Sequence, residues 1–134
     1  MSFNKGLLER YVERYNARDL DTVMDLYAED AIQMMPDGTF EGRSAIRQRL
    51  ARDLTACPDA TYTVGSFIEH RDTFADEWTF TGTHTGPFAD GTKPTGKKFS
   101  FKGATLIRLR GDHIAYQGDY YDAYGFLKQL GLAN

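Results

Sequence analysis

Residues 81–132 read TGTHTGPFADGTKPTGKKFSFKGATLIRLRGDHIAYQGDYYDAYGFLKQLGL, and how this stretch divides decides the fold. Aromatic, threonine and aliphatic residues alternate between glycine-rich breaks, which predicts strands over Phe74–His84, Lys98–Arg110 and His113–Asp122. Gly111-Asp112 suits the tight turn between the last two. The period of two begins near Thr61, so a further strand is expected over Tyr62–Glu69. After the closing strand, Asp122 suits the cap of a short C-terminal turn in which Phe126, Leu127, Leu130 and Leu132 pack.

Upstream the period is helical. Leu7, Leu8, Tyr11, Val12 and Tyr15 recur at offsets of three and four, with Glu9, Arg10, Glu13 and Arg14 on the other face. Asn16-Ala17-Arg18-Asp19 ends that helix, and Asp19 or Asp21 suits the cap of a second, carrying Leu20, Val23, Met24 and Tyr27 to about Glu29-Asp30. Ala31–Met35 reads as a short strand stopped by the turn residues Pro36-Asp37-Gly38. Ser44 is placed to cap a third helix through Ala45, Ile46, Leu50 and Leu54, which Cys57-Pro58-Asp59 ends. Helices first and antiparallel strands after predict one α+β domain over residues 1–134.

A chain of 134 residues buries roughly two thirds of its unfolded surface, enough for a core without disulfides or metal. The hydrophobic fraction of 41% and the mixed-sign charges at 26% are globular values, with no linker, repeat or disordered tail. A net charge of −3 gives no field to draw a phosphate backbone, and Lys97-Lys98 with Lys102 is too small a cluster to reverse it, so no nucleic-acid partner is expected. The lone Cys57 has no neighbouring His or Lys to activate it. No apolar leader or membrane-length run is present, which predicts a soluble cytoplasmic protein with no membrane partner. Three scattered histidines and the lack of a phosphate-binding glycine loop predict neither metal nor nucleotide cofactor; His70 and His113 fall in turns.

Alternation indicates which side chains point inward. Trp78, Phe80, Gly82 and His84 share one face of their strand, and Phe99, Phe101, Gly103, Thr105, Ile107 and Leu109 share the more apolar face of the next. In the closing strand the apolar set is Ile114, Tyr116 and Tyr120, which puts Asp119 on the opposite face with Ala115, Gln117 and Tyr121. Hydropathy alone turns Asp119 away from the core. If helices cover one side of the sheet and a second subunit the other, Ile114, Tyr116, Tyr120 and Leu106 instead form a dimer surface.

Several segments, in this order and spacing, resemble one family. They are Leu7–Asp30 with its Asn-Ala-Arg-Asp-Leu-Asp and Tyr-Ala-Glu-Asp, Gly42-Arg43-Ser44-Ala45-Ile46, Gly82-Thr83-His84-Thr85-Gly86, Pro94-Thr95-Gly96-Lys97 and Gln129-Leu130-Gly131. Together they resemble the SnoaL-like group of the nuclear transport factor 2 superfamily. The resemblance implies a cone-shaped fold: three N-terminal helices on a strongly curved, mainly antiparallel sheet enclosing a pocket, with a homodimer across the outer sheet face. It also implies that Asp119 faces the pocket, where the matching aspartate of polyketide cyclases is the general acid/base of an aldol cyclisation. Two positions depart from such patterns. Thr105 stands where those cyclases carry a histidine, and Met35 stands where ketosteroid isomerases, which share the cone and match Tyr11, carry their base.

On this reading Asp119, among Trp78, Phe80, Phe101, Ile107 and Tyr121, has its pKa raised by desolvation and moves a proton next to a carbonyl. Tyr11, His84 or Thr105 would hydrogen-bond the developing enolate oxygen. Each also has a structural reading, Tyr11 as helix core, Thr105 as strand residue and His84 as a bonded strand end. Met35 and Gln117 complete the expected substrate contacts. The function expected is a cofactor-independent cyclase, isomerase or lyase acting on a small hydrophobic, polyketide- or steroid-like carbonyl compound. The alternatives are a non-catalytic binder of a small hydrophobic ligand and a dimeric interaction module.

Overall fold

The computed structural model describes residues 2–134. The helix α1 (Phe3–Asn16) starts where the Ser2 hydroxyl accepts from the Lys5 amide at 3.1 Å, and α2 (Leu20–Met24) where the Asp19 carboxylate accepts from Thr22. Then follow β1 (Tyr27–Met35), β2 (Gly38–Glu41), α3 (Arg43–Ala56), β3 (Thr61–His70), β4 (Thr73–Thr83), β5 (Lys98–Arg110), β6 (His113–Tyr121) and α4 (Ala123–Gln129). The six strands form one curved, unclosed sheet in the order β2-β1-β6-β5-β4-β3, antiparallel except for the parallel β1–β6 pair. The first helix packs on β3, α3 on β1 and β2, and α2 lies between them. This is the expected α+β cone.

Three local expectations are corrected. Tyr27 opens β1 rather than ending α2, because it pairs with Ile114 of β6 and is fully buried, so sheet pairing overrides the helical spacing. Gly38, expected in the turn after Ala31–Met35, instead opens a strand, Gly38–Glu41, on the outer edge of β1. Ser44 does not cap α3: the chain leaves β2 through Gly42 at φ +86°, a conformation that favours glycine, and Ser44 falls inside the first turn. Leu130 is buried under α4 as expected, while Leu132 is 40% exposed.

The decisive irregularity lies in β6. Arg108 pairs with Tyr116 and Leu109 with Ile114, so Ala115 is an extra residue, a β-bulge. Before the bulge Ile114 faces the core at 0% exposure; after it Gln117 and Asp119 face the same way, at 5% and 7%. Hydropathy had grouped Ile114 with Tyr116 and Tyr120 on one face and Asp119 on the other. The bulge breaks that phase, leaving Tyr120 outside at 56% exposure and Ile114 in the core, not on an outer surface.

Opposite β6 the concave face is crowded at Gly103, where an added Cβ would lie 2.3 Å from the Trp78 ring and 2.8 Å from the Tyr120 carbonyl oxygen. Gly103→Ala is therefore expected to push the indole aside and destabilise the fold by about 1–3 kcal/mol, read as a lower midpoint in chemical denaturation. An unchanged midpoint would show that the ring moves freely.

Candidate active site

The cone holds two joined chambers. The outer one, about 440 Å³, is walled by rings that include Trp78, Phe80, Phe101, Tyr121 and Phe126. The inner one, about 30 Å³, is walled by Leu7, Leu8, Tyr11 and Ile107 together with the polar groups of Gln33, Asp76, Thr105, Gln117 and Asp119. It has room for one or two waters. Met35, Asp53, Tyr62, Trp78 and Asp119 border both.

Asp119 is held by donors on three strands. The Thr105 hydroxyl donates to Oδ1 at 2.6 Å, the Gln117 amide lies 3.2 Å from both oxygens, and the Gln33 amide donates to Oδ2 at 3.3 Å. The Trp78 indole N–H donates to the Thr105 oxygen at 2.8 Å, which fixes the direction of the hydroxyl proton. Behind Gln117, its amide oxygen accepts from Tyr27, and the Tyr27 and Tyr11 hydroxyls meet at 2.7 Å. Burial pushes the Asp119 pKa above the usual carboxylate value, and the donors from Thr105, Gln117 and Gln33 oppose it. The side chain is bonded only by donors, and the net rise makes its carboxylate form more basic than in water.

Asp76 is different. It is 4% exposed, and its Oδ1 has no hydrogen-bond partner. Burial, and secondarily the charge of Asp119, push its pKa up to about 7. At the border of the outer chamber Arg49, 6% exposed, donates to Asp37 at 2.5 Å and Asp53 at 3.2 Å. Burial works against the Arg49 charge, but those carboxylates outweigh it and raise its pKa. Burial pushes Asp53 up to about 6 against the pull of Arg49, although with 32% of the side chain in solvent that charge is partly screened.

Of the residues predicted from sequence, Asp119, Tyr11, Thr105, Ile107 and Gln117 meet in the inner chamber, Phe80, Phe101 and Tyr121 in the outer, and Met35 and Trp78 border both. His84 lines neither. Its Nδ1 accepts from the Thr95 amide at 3.2 Å and lies 3.1 Å from the Thr95 hydroxyl, and its ring stacks on Phe88 at 4.1 Å. It fastens the loop after β4 rather than facing a substrate. Tyr11 and Thr105 lie in the site, but their hydroxyls are committed to Tyr27 and Asp119.

Sequence reasoning missed Asp76, Gln33, Tyr27, Arg49 and Asp53. Asp76 falls between Phe74 and Trp78 on the even positions of β4, so the alternation that turned Trp78 inward turns Asp76 inward too. Arg49 and Asp53 follow Ile46 at helical spacing on the buried face of α3. No His, Cys, Asp and Glu side chains are grouped in threes for a metal among the described residues.

The model of the SnoaL-like polyketide cyclase family matches residues 5–130. IdmH from Streptomyces antibioticus, provisionally described as a polyketide cyclase, is 27% identical with a TM-score of 0.82 over 95% of this chain and 97% of its own. AclR from Streptomyces galilaeus, provisionally described as a hydroxylase, is 25% identical with a TM-score of 0.85 over 97% of this chain and 96% of its own. A SnoaL-like protein from Jannaschia sp. CCS1 shares the fold, at 16% identity and a TM-score of 0.86 over 98% of this chain and 94% of its own. No functionally curated protein matches the chain.

Asp76 makes a distinct prediction about stability. Its ordinary pKa is 3.8 and its folded value about 7, so as pH rises the unfolded chain ionises first. The stability present below pH 3.8 is thus lost progressively up to about pH 7 and stays lost above it. Asp76→Asn, nearly isosteric and neutral, is expected to melt higher than the unsubstituted protein above pH 7, with the gap closing as pH falls to 3.8. Parallel midpoint-against-pH curves would refute a raised Asp76 pKa.

Proposed function

Since the chain belongs to the SnoaL-like polyketide cyclase family, we propose that it is a cofactor-independent enzyme that moves a proton beside a carbonyl of a small hydrophobic, polyketide-like molecule, with Asp119 as base. The observation that carries this reading is the position of Asp119. It is 7% exposed and stands where the polar inner chamber opens into the aromatic outer one. A ring system lying against Trp78, Phe101 and Tyr121 would present its edge to that carboxylate.

The mechanism follows from the surroundings. Desolvation strengthens the carboxylate as a base, while the Thr105 and Gln117 donors hold it in one orientation toward the incoming C–H. Abstraction gives an enolate, from which ring closure, double-bond migration or loss of a leaving group can proceed. The provisional description of IdmH, at 27% identity, supports ring closure as the overall reaction.

We also propose that a second copy of the chain covers the outer sheet face. Ile32, Met34 and Tyr120 stand there 37%, 43% and 56% exposed, and the Tyr116 hydroxyl lies 3.5 Å from both the Met34 sulfur and the Tyr120 hydroxyl.

The base assignment is tested with β-tetralone, a bicyclic aromatic ketone, by following exchange of its α-hydrogens for solvent deuterium by NMR. The protein is expected to accelerate exchange, and Asp119→Asn to lower the rate by roughly 10²–10⁴-fold while still binding the ketone. Binding is read from quenching of Trp78, the single tryptophan. Binding without exchange in the unsubstituted protein would leave a carrier, not an enzyme. For the outer face, Tyr120→Asp is expected to halve the mass measured by light scattering; no change in mass would reject that interface.

A further inference from the structure

A base that makes an enolate needs a proton donor at the oxygen, and the donors expected from sequence are committed elsewhere. The Thr105 proton goes to Asp119, because its oxygen already accepts from Trp78. Tyr27 gives its only proton to Gln117, so the Tyr11 proton must go to Tyr27. The Gln33 and Gln117 amides point at Asp119 and do not titrate. His84 lies outside both chambers.

Three groups in the inner chamber are left: Asp53, which is tied to Arg49, Tyr62, whose hydroxyl burial makes a weaker acid than in water, and Asp76, which alone of the three shares the row of Thr105 and Asp119. Asp76 is opposite Thr105 in the β4–β5 pair, and Asp119 is opposite Thr105 in the β5–β6 pair. The two carboxyls therefore flank one hydroxyl in a single row on the concave face, with backbones roughly 10 Å apart at the usual strand spacing. A buried Oδ1 without a partner, lining that chamber, has nothing to stabilise a negative charge. We infer that Asp76 is the second catalytic carboxyl, the acid that protonates the substrate oxygen while Asp119 takes a proton from the neighbouring carbon. The inference rests on Asp119 being the base.

In the first step the C–H bond breaks toward Asp119, its electron pair forms the enol double bond, and the Asp76 proton forms the enol O–H. In ring closure the enol carbon attacks a second carbonyl carbon, Asp119 returns its proton to the new alkoxide, and the enol proton goes back to Asp76. A C–C bond is gained and both carboxyls regain their starting forms, with no oxidant or reductant. Burial, and after it the Asp119 charge, favours the protonated form of Asp76. The other titratable groups around this chamber are Asp53, Tyr11 and Tyr62, with Arg49 in the adjoining chamber held between Asp53 and Asp37.

The experiment repeats the β-tetralone exchange across pH with Asp76→Asn and Asp76→Glu. Asp76→Asn is expected to bind the ketone, to exchange on the order of 10²-fold more slowly, and to lose the fall in kcat/KM that Asp76 ionisation causes above about pH 7. Asp76→Glu restores both in part. Exchange by Asp76→Asn at the full rate with the alkaline fall intact would overturn the role of Asp76 and leave Asp119 as base. No exchange above buffer by the unsubstituted protein would overturn both assignments together. Should Asp76→Asn fail to fold, carbon NMR of the aspartate carboxyls decides, with the Asp53 and Asp119 signals assigned from Asp53→Asn and Asp119→Asn: a remaining carboxyl that titrates near neutrality upholds the inference, and all remaining carboxyls ionised well below it reject it.

Discussion

The site depends on one extra residue in β6. Strand alternation is strict, so without the bulge at Ala115 a core-facing Ile114 would send Gln117 and Asp119 to the convex face. With it, the same short strand seals the hydrophobic core at one end and delivers a carboxylate to the chamber at the other. The bulge also marks where the parallel pairing with β1 is interrupted, between Tyr27 and Ile32. Gln33, two positions past Ala31 on that neighbouring strand, then reaches Asp119 from the other side.

Holding a carboxylate in this interior costs several kcal/mol in lost hydration. Hydrogen bonds to a charged acceptor contribute roughly 1.5–3 kcal/mol each, so donors from Thr105, Gln117 and Gln33 offset part of it, and the Asp119 pKa stays above its ordinary value. Asp76, two strands away on the same row, receives none of this support. Burial thus raises the pKa of both side chains, opposed by hydrogen-bond donors at Asp119 and by none at Asp76.

The remaining polar features shape access. Trp78 joins the two chambers chemically as well as spatially, its ring facing Phe101 and Tyr121 while its N–H sets the Thr105 hydroxyl. His84, anchored on Thr95, stacks against Phe88 and so places that ring in the wall of the outer chamber. Burial lowers the His84 pKa, which favours the neutral ring and leaves Nδ1 free to accept from Thr95.

The periods along the chain determined most of the architecture, because burial on one face of a helix or strand imposes its spacing on the residues themselves. Leu7 to Tyr15 marked α1, and the alternation through Phe99 and Leu109 marked β5 over its observed bounds. The same pattern brought Trp78, Phe101 and Ile107 to the concave face. Tertiary structure decided the rest. A single-residue bulge leaves no mark in composition, so the facing of Asp119 followed from register and not from hydropathy. Pairing across the sheet drew Tyr27 out of a helix and into β1. Which hydroxyls keep a free proton, and which carboxyl lacks a donor, depend on partners as far apart in sequence as Gln33 and Asp119, and those contacts exist only once the sheet has formed.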